Sequence, residues 1–251
     1  MSQIVIPSFF LNSIPKSGTH LLKQLLLGIP GIQYNPHIGL YGHYHYQTDE
    51  KLHPIKNLPL HSFANGHLHY SVEWETFFKE LKMKQVFVLR DPRDVLISYA
   101  HFIPGTQIDH LYRTFTQEGF THRDRIKFLI EGGPVLENGM PDHPGIREWY
   151  QSFSGWLNRP NVHAIRFEDM IASEQMKRKT TGELLDFLSD GVDHSLHRED
   201  WITAMISNIR PEASVTFRKG KSGGWKDEMD DELKALFHAR AGDLLEELGY
   251  E

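Results

Sequence analysis

A lysine, a serine, a glycine and a threonine stand together in the run Ser13-Ile14-Pro15-Lys16-Ser17-Gly18-Thr19-His20-Leu21-Leu22, and their order sets the first chemical expectation. The short, apolar Ser8-Phe9-Phe10-Leu11-Asn12 before it reads as a buried strand, and His20 to Leu27 after it is rich in good helix formers. A chain that leaves a strand, turns through Lys-Ser-Gly-Thr and enters a helix aims several backbone N–H groups at one point. The helix dipole favours an anion there, phosphate above all. Lys16 adds a mobile positive charge, and Gly18 lets the backbone come close. The Walker A loop of ATPases is excluded, because no glycine precedes Lys16. Taken alone, the segment is also compatible with an ordinary strand–turn–helix bearing a solvated lysine.

Two further stretches seek anions. Arg90-Asp91-Pro92-Arg93-Asp94 follows the apolar run Gln85 to Leu89, which reads as a fully buried parallel strand. Pro92 and the acidic residues open a helix that carries Ser98, eight residues after Arg90. Arg90 and Ser98 could hold one phosphate from two sides, whereas an Arg–Asp structural pair is the plainer alternative. Later comes Phe217-Arg218-Lys219-Gly220-Lys221-Ser222-Gly223-Gly224-Trp225-Lys226, with four cations and three glycines between 218 and 226. It suits a clamp on an anion or a solvated connection. Residues 34 to 70 hold seven of the sixteen histidines, with Tyr34, Tyr41, Tyr44, Tyr46 and Tyr70. On strands, His43 would share a face with His45, and His67 with His69. No acidic or cysteine ligand stands at a metal-motif spacing, so an aromatic, hydrogen-bonding ligand wall or plain surface is the expectation there.

In this order the three loops resemble those of sulfotransferases that use 3′-phosphoadenosine 5′-phosphosulfate (PAPS). Ser13 to Leu22 looks like the family's 5′-phosphosulfate loop, Arg90 to Ser98 like its 3′-phosphate motif, and Phe217 to Lys226 is similar to its C-terminal Arg-Lys-Gly-x-x-Gly-x-Trp-Lys loop. The resemblance implies that Lys16 neutralises charge on the leaving phosphate while the N–H groups of Ser17, Gly18, Thr19 and His20 cradle the 5′-phosphate. It implies that Arg90, Ser98, Arg218, Lys219 and the Gly220 backbone bind the 3′-phosphate. Phe167 falls where relatives set an aromatic against adenine, without the phenol hydroxyl often found. Leu21 replaces a tryptophan of the relatives. Asn65-Gly66-His67-Leu68-His69 is similar to the stretch carrying the family's histidine base, which makes His67 the base and His69 its competitor. Lys16, His67 and Ser98 are thus the implied catalytic set. The implied reaction moves a sulfuryl group from PAPS to a hydroxyl or amine of a small acceptor, leaves 3′,5′-adenosine bisphosphate (PAP), and needs no metal. A small-molecule P-loop kinase and a non-catalytic anion- or glycan-binding protein are the rival readings.

Stepping these residues into place requires a parallel sheet whose strand ends share one edge. The sequence predicts a single α/β domain over 1–251, P-loop NTPase-like, with a central, mostly parallel sheet flanked by helices. Helices are expected at Trp74–Lys82, Ile146–Leu157, Glu174–Leu188, His197–Asn208 and Asp230–Leu248, and a strand at Val162–Phe167. The glycine-broken region 103–145, with short helices, is expected as a lid or substrate wall. The 251 residues suit one sizeable core, and 39% hydrophobic with 24% charged residues is ordinary globular composition. A net charge of −6 argues against a general nucleic-acid partner. No cysteine excludes disulfides, thiol nucleophiles and thiolate metal sites. The absence of a signal-like N-terminus or an apolar membrane span sets the expectation of a cytoplasmic, soluble protein; a homodimer is left open.

Overall fold

Five consecutive buried residues, Phe9–Ser13 (β1), form the middle strand of a parallel sheet. The computed structural model describes residues 5–42, 54–107, 109–137, 139–192, 197–213 and 220–251. The other strands are Gln33–Tyr34 (β2), Tyr41–Gly42 (β3), Ser62–Leu68 (β4), Lys84–Leu89 (β5) and Val162–Arg166 (β6). They run in the order β2-β4-β1-β5-β6, with β3 pairing β4, and every pairing is parallel. β1 and β5 are apolar nearly throughout because parallel strands are covered on both faces. β4, with the sequence Ser-Phe-Ala-Asn-Gly-His-Leu, is far less apolar and is fixed by pairing on both sides.

The helices, in chain order, are Thr19–Leu26 (α1), Val72–Glu80 (α2), Pro92–Phe102 (α3), Tyr112–Phe115 (α4), His122–Glu131 (α5), Ile146–Ser154 (α6), Phe167–Ala172 (α7), Glu174–Leu188 (α8), Arg198–Ser207 (α9), Trp225–Glu228 (α10) and Asp231–Leu248 (α11). The expected helices and strand are all present with shifts of a few residues at their ends. Phe167 differs in kind: it opens α7 instead of closing β6.

The residues group into two compact units. The first, Met1–Leu89 with Phe153–Gly220, holds the whole sheet. Its core packs Phe9, Leu11, Leu22, Leu25, Phe63, Val86, Val88, Ile165, Leu184 and Met205, and the Phe9 and Phe63 rings stack with centroids 5.3 Å apart. The second, Arg90–Ser152 with Lys221–Glu251, is helical and buries Val95, Ile126, Leu129, Tyr150, Phe237 and Leu244. Within the stretch 103–145 the chain forms a 3-10 turn, α4 and α5, then an antiparallel bridge between Gly133 and His143.

Candidate functional site

The turn from β1 into α1 has the geometry expected of an anion loop. Lys16 and Gly18 both take positive φ, 69° and 102°, and Gly18 is the helix N-cap without a side-chain capping bond. The helix's own ladder begins with Leu22 N–H donating to Gly18 O at 3.1 Å, so the amides of Thr19 and His20 lie ahead of it. One detail departs from expectation. The Ser17 N–H, read as part of the cradle, donates to Ile14 O at 3.1 Å and closes the turn. Ser17 instead presents its Oγ, which is buried and has no protein partner among the described residues. A buried orphan hydroxyl beside first-turn amides and a lysine fits an incoming phosphate, which would supply the missing acceptor.

Gly18 is required for a second reason. A Cβ there would stand 2.6 Å from Cδ2 of Phe167, so the ring edge occupies the space over the loop. Phe167 is only 5% exposed, its ring packed against the turn that carries Gly18.

His67 sits near the end of β4, and the neighbouring strand positions it. Asn12 is fully buried, and its side-chain amide donates to Leu68 O at 3.1 Å while its Oδ1 accepts from Leu68 N at 2.9 Å. Trp156 Nε1 adds a second donor to Leu68 O at 2.9 Å. Gly66 lets the segment at Leu40 come close, since a Cβ there would meet Leu40 O at 1.9 Å; His67 N–H also donates to that oxygen at 2.9 Å. The His67 ring then lies with Nδ1 2.8 Å from Ser13 O and 3.1 Å from Ser13 Oγ, and Ser13 Oγ is 2.7 Å from Thr19 Oγ1. A carbonyl only accepts, so Nδ1 carries the proton and Nε2 keeps its lone pair. Burial pushes the His67 pKa below its ordinary 6.5; the Ser13 carbonyl opposes this, and His20 and Lys16 add to it. The ring is thus held neutral, in the tautomer a base needs. His69 lies beyond the strand's last residue and its ring meets Phe153 edge-on at 4.4 Å. The shared strand face expected for His67 and His69 is not formed.

In the second unit, Arg90 donates from Nη2 to Lys221 O at 2.8 Å, lies 3.6 Å from Asp94 Oδ2, and has its own carbonyl fixed by the Tyr150 hydroxyl at 2.6 Å. Asp94, buried, accepts from Gly223 N at 2.7 Å and from Trp225 N at 3.1 Å. It ties the C-terminal loop to α3, and Ser98 follows it by four residues on the same helix face. The plain Arg–Asp pair anticipated at this helix start is formed twice, by Arg90 with Asp94 at 3.6 Å and by Arg93 with Asp91 at 2.7 Å, and Arg93 stacks over Trp225 at 4.1 Å. Sequence reading passed over Asn12, Ser13 and Asp94; only the middle-strand polar residue Asn12 and the helix-start carboxylate Asp94 offered a signal. Arg218 and Lys219 lie outside the described residues, as do His43 and His45; Gly220 is described and exposed, with φ 58°.

A family model described as a sulfotransferase domain matches residues 7–249. The 3-alpha-hydroxysteroid sulfotransferase of Cavia porcellus is 22% identical over 242 residues, which cover 84% of this chain and 74% of that protein. The amine sulfotransferase of Oryctolagus cuniculus is 29% identical over 199 residues, 73% of this chain and 61% of that protein. The crystal structure of mouse sulfotransferase SULT7A1 complexed with PAP superposes with a TM-score of 0.63 at 19% identity, covering 94% of this chain and 84% of that one.

Proposed function

We propose a reaction for this chain from one premise: it belongs to the sulfotransferase family, whose domain model spans residues 7–249. It transfers the sulfuryl group of PAPS to a small acceptor. Hydroxyl and amine acceptors are both supported by the names of the relatives, a hydroxysteroid and an amine sulfotransferase. Among the described residues no helix is long and apolar enough to cross a membrane.

PAPS supplies an activated sulfuryl group on a good leaving phosphate. The chain supplies the rest. Lys16, Ser17 Oγ and the Gly18, Thr19 and His20 amides hold the 5′-phosphate and take up the charge that grows on it as the S–O bond breaks. His67 Nε2 accepts the acceptor's proton as its oxygen or nitrogen attacks sulfur. Ser13 O fixes the Nδ1–H and keeps that lone pair available. Arg90 and Ser98, with Arg218, Lys219 and Gly220, take the 3′-phosphate; Asp94 holds the backbone of the following segment in place. Phe167 closes the base side of the nucleotide. Residues 1–251 act in this as one sulfotransferase domain, with 103–145 as a wall for the acceptor.

The observation that carries the assignment is the buried, partnerless Ser17 Oγ inside a first-turn anion cradle. The test is ligand-induced stabilisation. PAP should raise the melting temperature well beyond 5′-AMP at equal concentration, because only PAP offers the second phosphate. Equal shifts would remove Arg90 and Ser98 from the 3′-phosphate role.

A further inference from the structure

The second unit contains a convergence of metal-binding side chains that the sulfuryl-transfer chemistry does not use. His101 is in the last turn of α3, His122 is the first residue of α5, and Glu228 is the last residue of α10. His101 Nε2 lies 2.5 Å from Glu228 Oε2, and His122 Nε2 lies 3.2 Å from the same oxygen. The two imidazole rings face one another with centroids 4.1 Å apart and planes 33° from parallel. One ligand atom from each of the three residues falls within 4.8 Å of the others. Glu228 is 14% exposed at its side chain, against 38% for His101 and 34% for His122, so the carboxylate forms the floor and the two rings the rim.

We infer that His101, His122 and Glu228 bind a divalent transition-metal ion, zinc in the first instance. Three side chains that arrive from three separate helices, far apart in sequence, aim their donor atoms at one spot. Two imidazole nitrogens and one carboxylate oxygen are a zinc donor set when water fills the fourth position. Bonds of about 2.0–2.2 Å place tetrahedral donors roughly 3.3 Å from one another. The His122–Glu228 separation already has that size. The His101–Glu228 separation opens to that size with a shift of somewhat under an ångström, and all three donor atoms already lie within 4.8 Å of one another. On binding, each Nε2 releases to solvent the proton it now directs at the carboxylate, each neutral ring carries its one proton on Nδ1 instead, and both Nε2 lone pairs face the ion. The neighbouring cations are turned elsewhere: Arg123 to Asp230 and Glu232, Arg125 to the carbonyls of Phe115 and Phe120. The ion would join α3, α5 and α10 at one point. Since Asp94 of α3 already holds the amides of Gly223 and Trp225, the segment 223–228 would be fastened to that helix at both ends.

The chain has sixteen histidines, so binding alone does not identify the site. The test is a cobalt(II) titration of the full, tag-free chain after chelator treatment. The expected result is one Co²⁺ per chain with visible ligand-field bands, displaced by one equivalent of Zn²⁺, and a higher melting temperature with the metal bound. The double variant H101A/H122A should lose the bands, and Glu228→Gln should bind at least tenfold more weakly. No visible bands in the native chain, or unchanged bands in the double variant, would overturn the inference. If circular dichroism shows the double variant to be unfolded, Glu228→Gln decides alone, and unchanged affinity there sinks the site.

Discussion

In the proposed reaction one hydrogen bond fits His67 to serve as the base. Had its Nδ1 faced an N–H donor, the other nitrogen would carry the proton and the ring could not accept one from the substrate. The Ser13 carbonyl dictates the useful tautomer, and burial, reinforced by His20 and Lys16, keeps the ring uncharged. The sign of the pH effect follows. A pKa below 6.5 leaves the base neutral until the solution is more acidic than for a free histidine, so the acid limb of kcat/KM is expected below pH 6.5. A limb centred at or above that value would show that another group titrates. His67→Asn should lower turnover by about two orders of magnitude or more while PAP still binds. His69→Ala should act through packing alone, because its ring leans on Phe153. If His69→Ala is dead and His67→Asn active, the base assignment moves to His69.

At the scale of elements, what was legible in the sequence was whatever is local. The β1 turn and α1, the Arg90 loop and its helix, and the long C-terminal helix all declare themselves through apolar runs, glycines and helix-start residues within a few positions of each other. Long-range devices did not. Asn12 looks like an interruption of an apolar strand until its amide is seen clasping both backbone groups of Leu68, 56 residues away. The Ser17 N–H, expected in the cradle, closes the turn on Ile14 O instead and leaves the buried Ser17 hydroxyl as the group without a partner among the described residues. His101, His122 and Glu228 share no motif, being joined only by the packing of α3, α5 and α10. Asp94 belongs to the same class. Its two oxygens hold the amides of Gly223 and Trp225, 129 and 131 residues further on, and so fix the described chain shortly after Gly220. Asp94→Asn can keep at most part of this, since its NH₂ group cannot accept an N–H. The expected outcome is weaker PAP binding, by about tenfold, with the loss of one charge-assisted hydrogen bond. The preference for PAP over 5′-AMP should shrink with it. A variant with full PAP affinity would show that the loop's backbone needs no anchor on α3.

The whole molecule carries a cost at low pH that is separate from catalysis. His143 is buried in the second unit, where its ring stacks on Phe128 at 6.1 Å and its Nδ1 lies 3.4 Å from His110 Nε2. Its backbone exchanges two hydrogen bonds with Gly133. Burial, with a smaller contribution from His110, lowers its pKa from 6.5 to about 3. In the unfolded chain the same ring titrates near 6.5. Above that pH both states hold it neutral and folding costs nothing. As the pH falls from about 6.5 towards 3, the unfolded chain takes up a proton that the folded chain refuses, and stability is lost at up to about 1.4 kcal/mol per pH unit. Over the full window this is on the order of 5 kcal/mol, a large share of an ordinary domain's stability. His20, His67, His122 and His163 are also shifted downwards, chiefly by burial, and act in the same direction. The chain should therefore lose melting temperature steeply between pH 7 and pH 4. His143→Phe keeps the stacking on Phe128 and removes the titrating nitrogen. It should flatten that decline measurably in urea denaturation at pH 7.5 and 4.5, whatever it does to stability at neutral pH. Parallel pH profiles for the two proteins would show that the His143 ring leaves its site, or finds a proton's worth of solvent there, before the fold gives way.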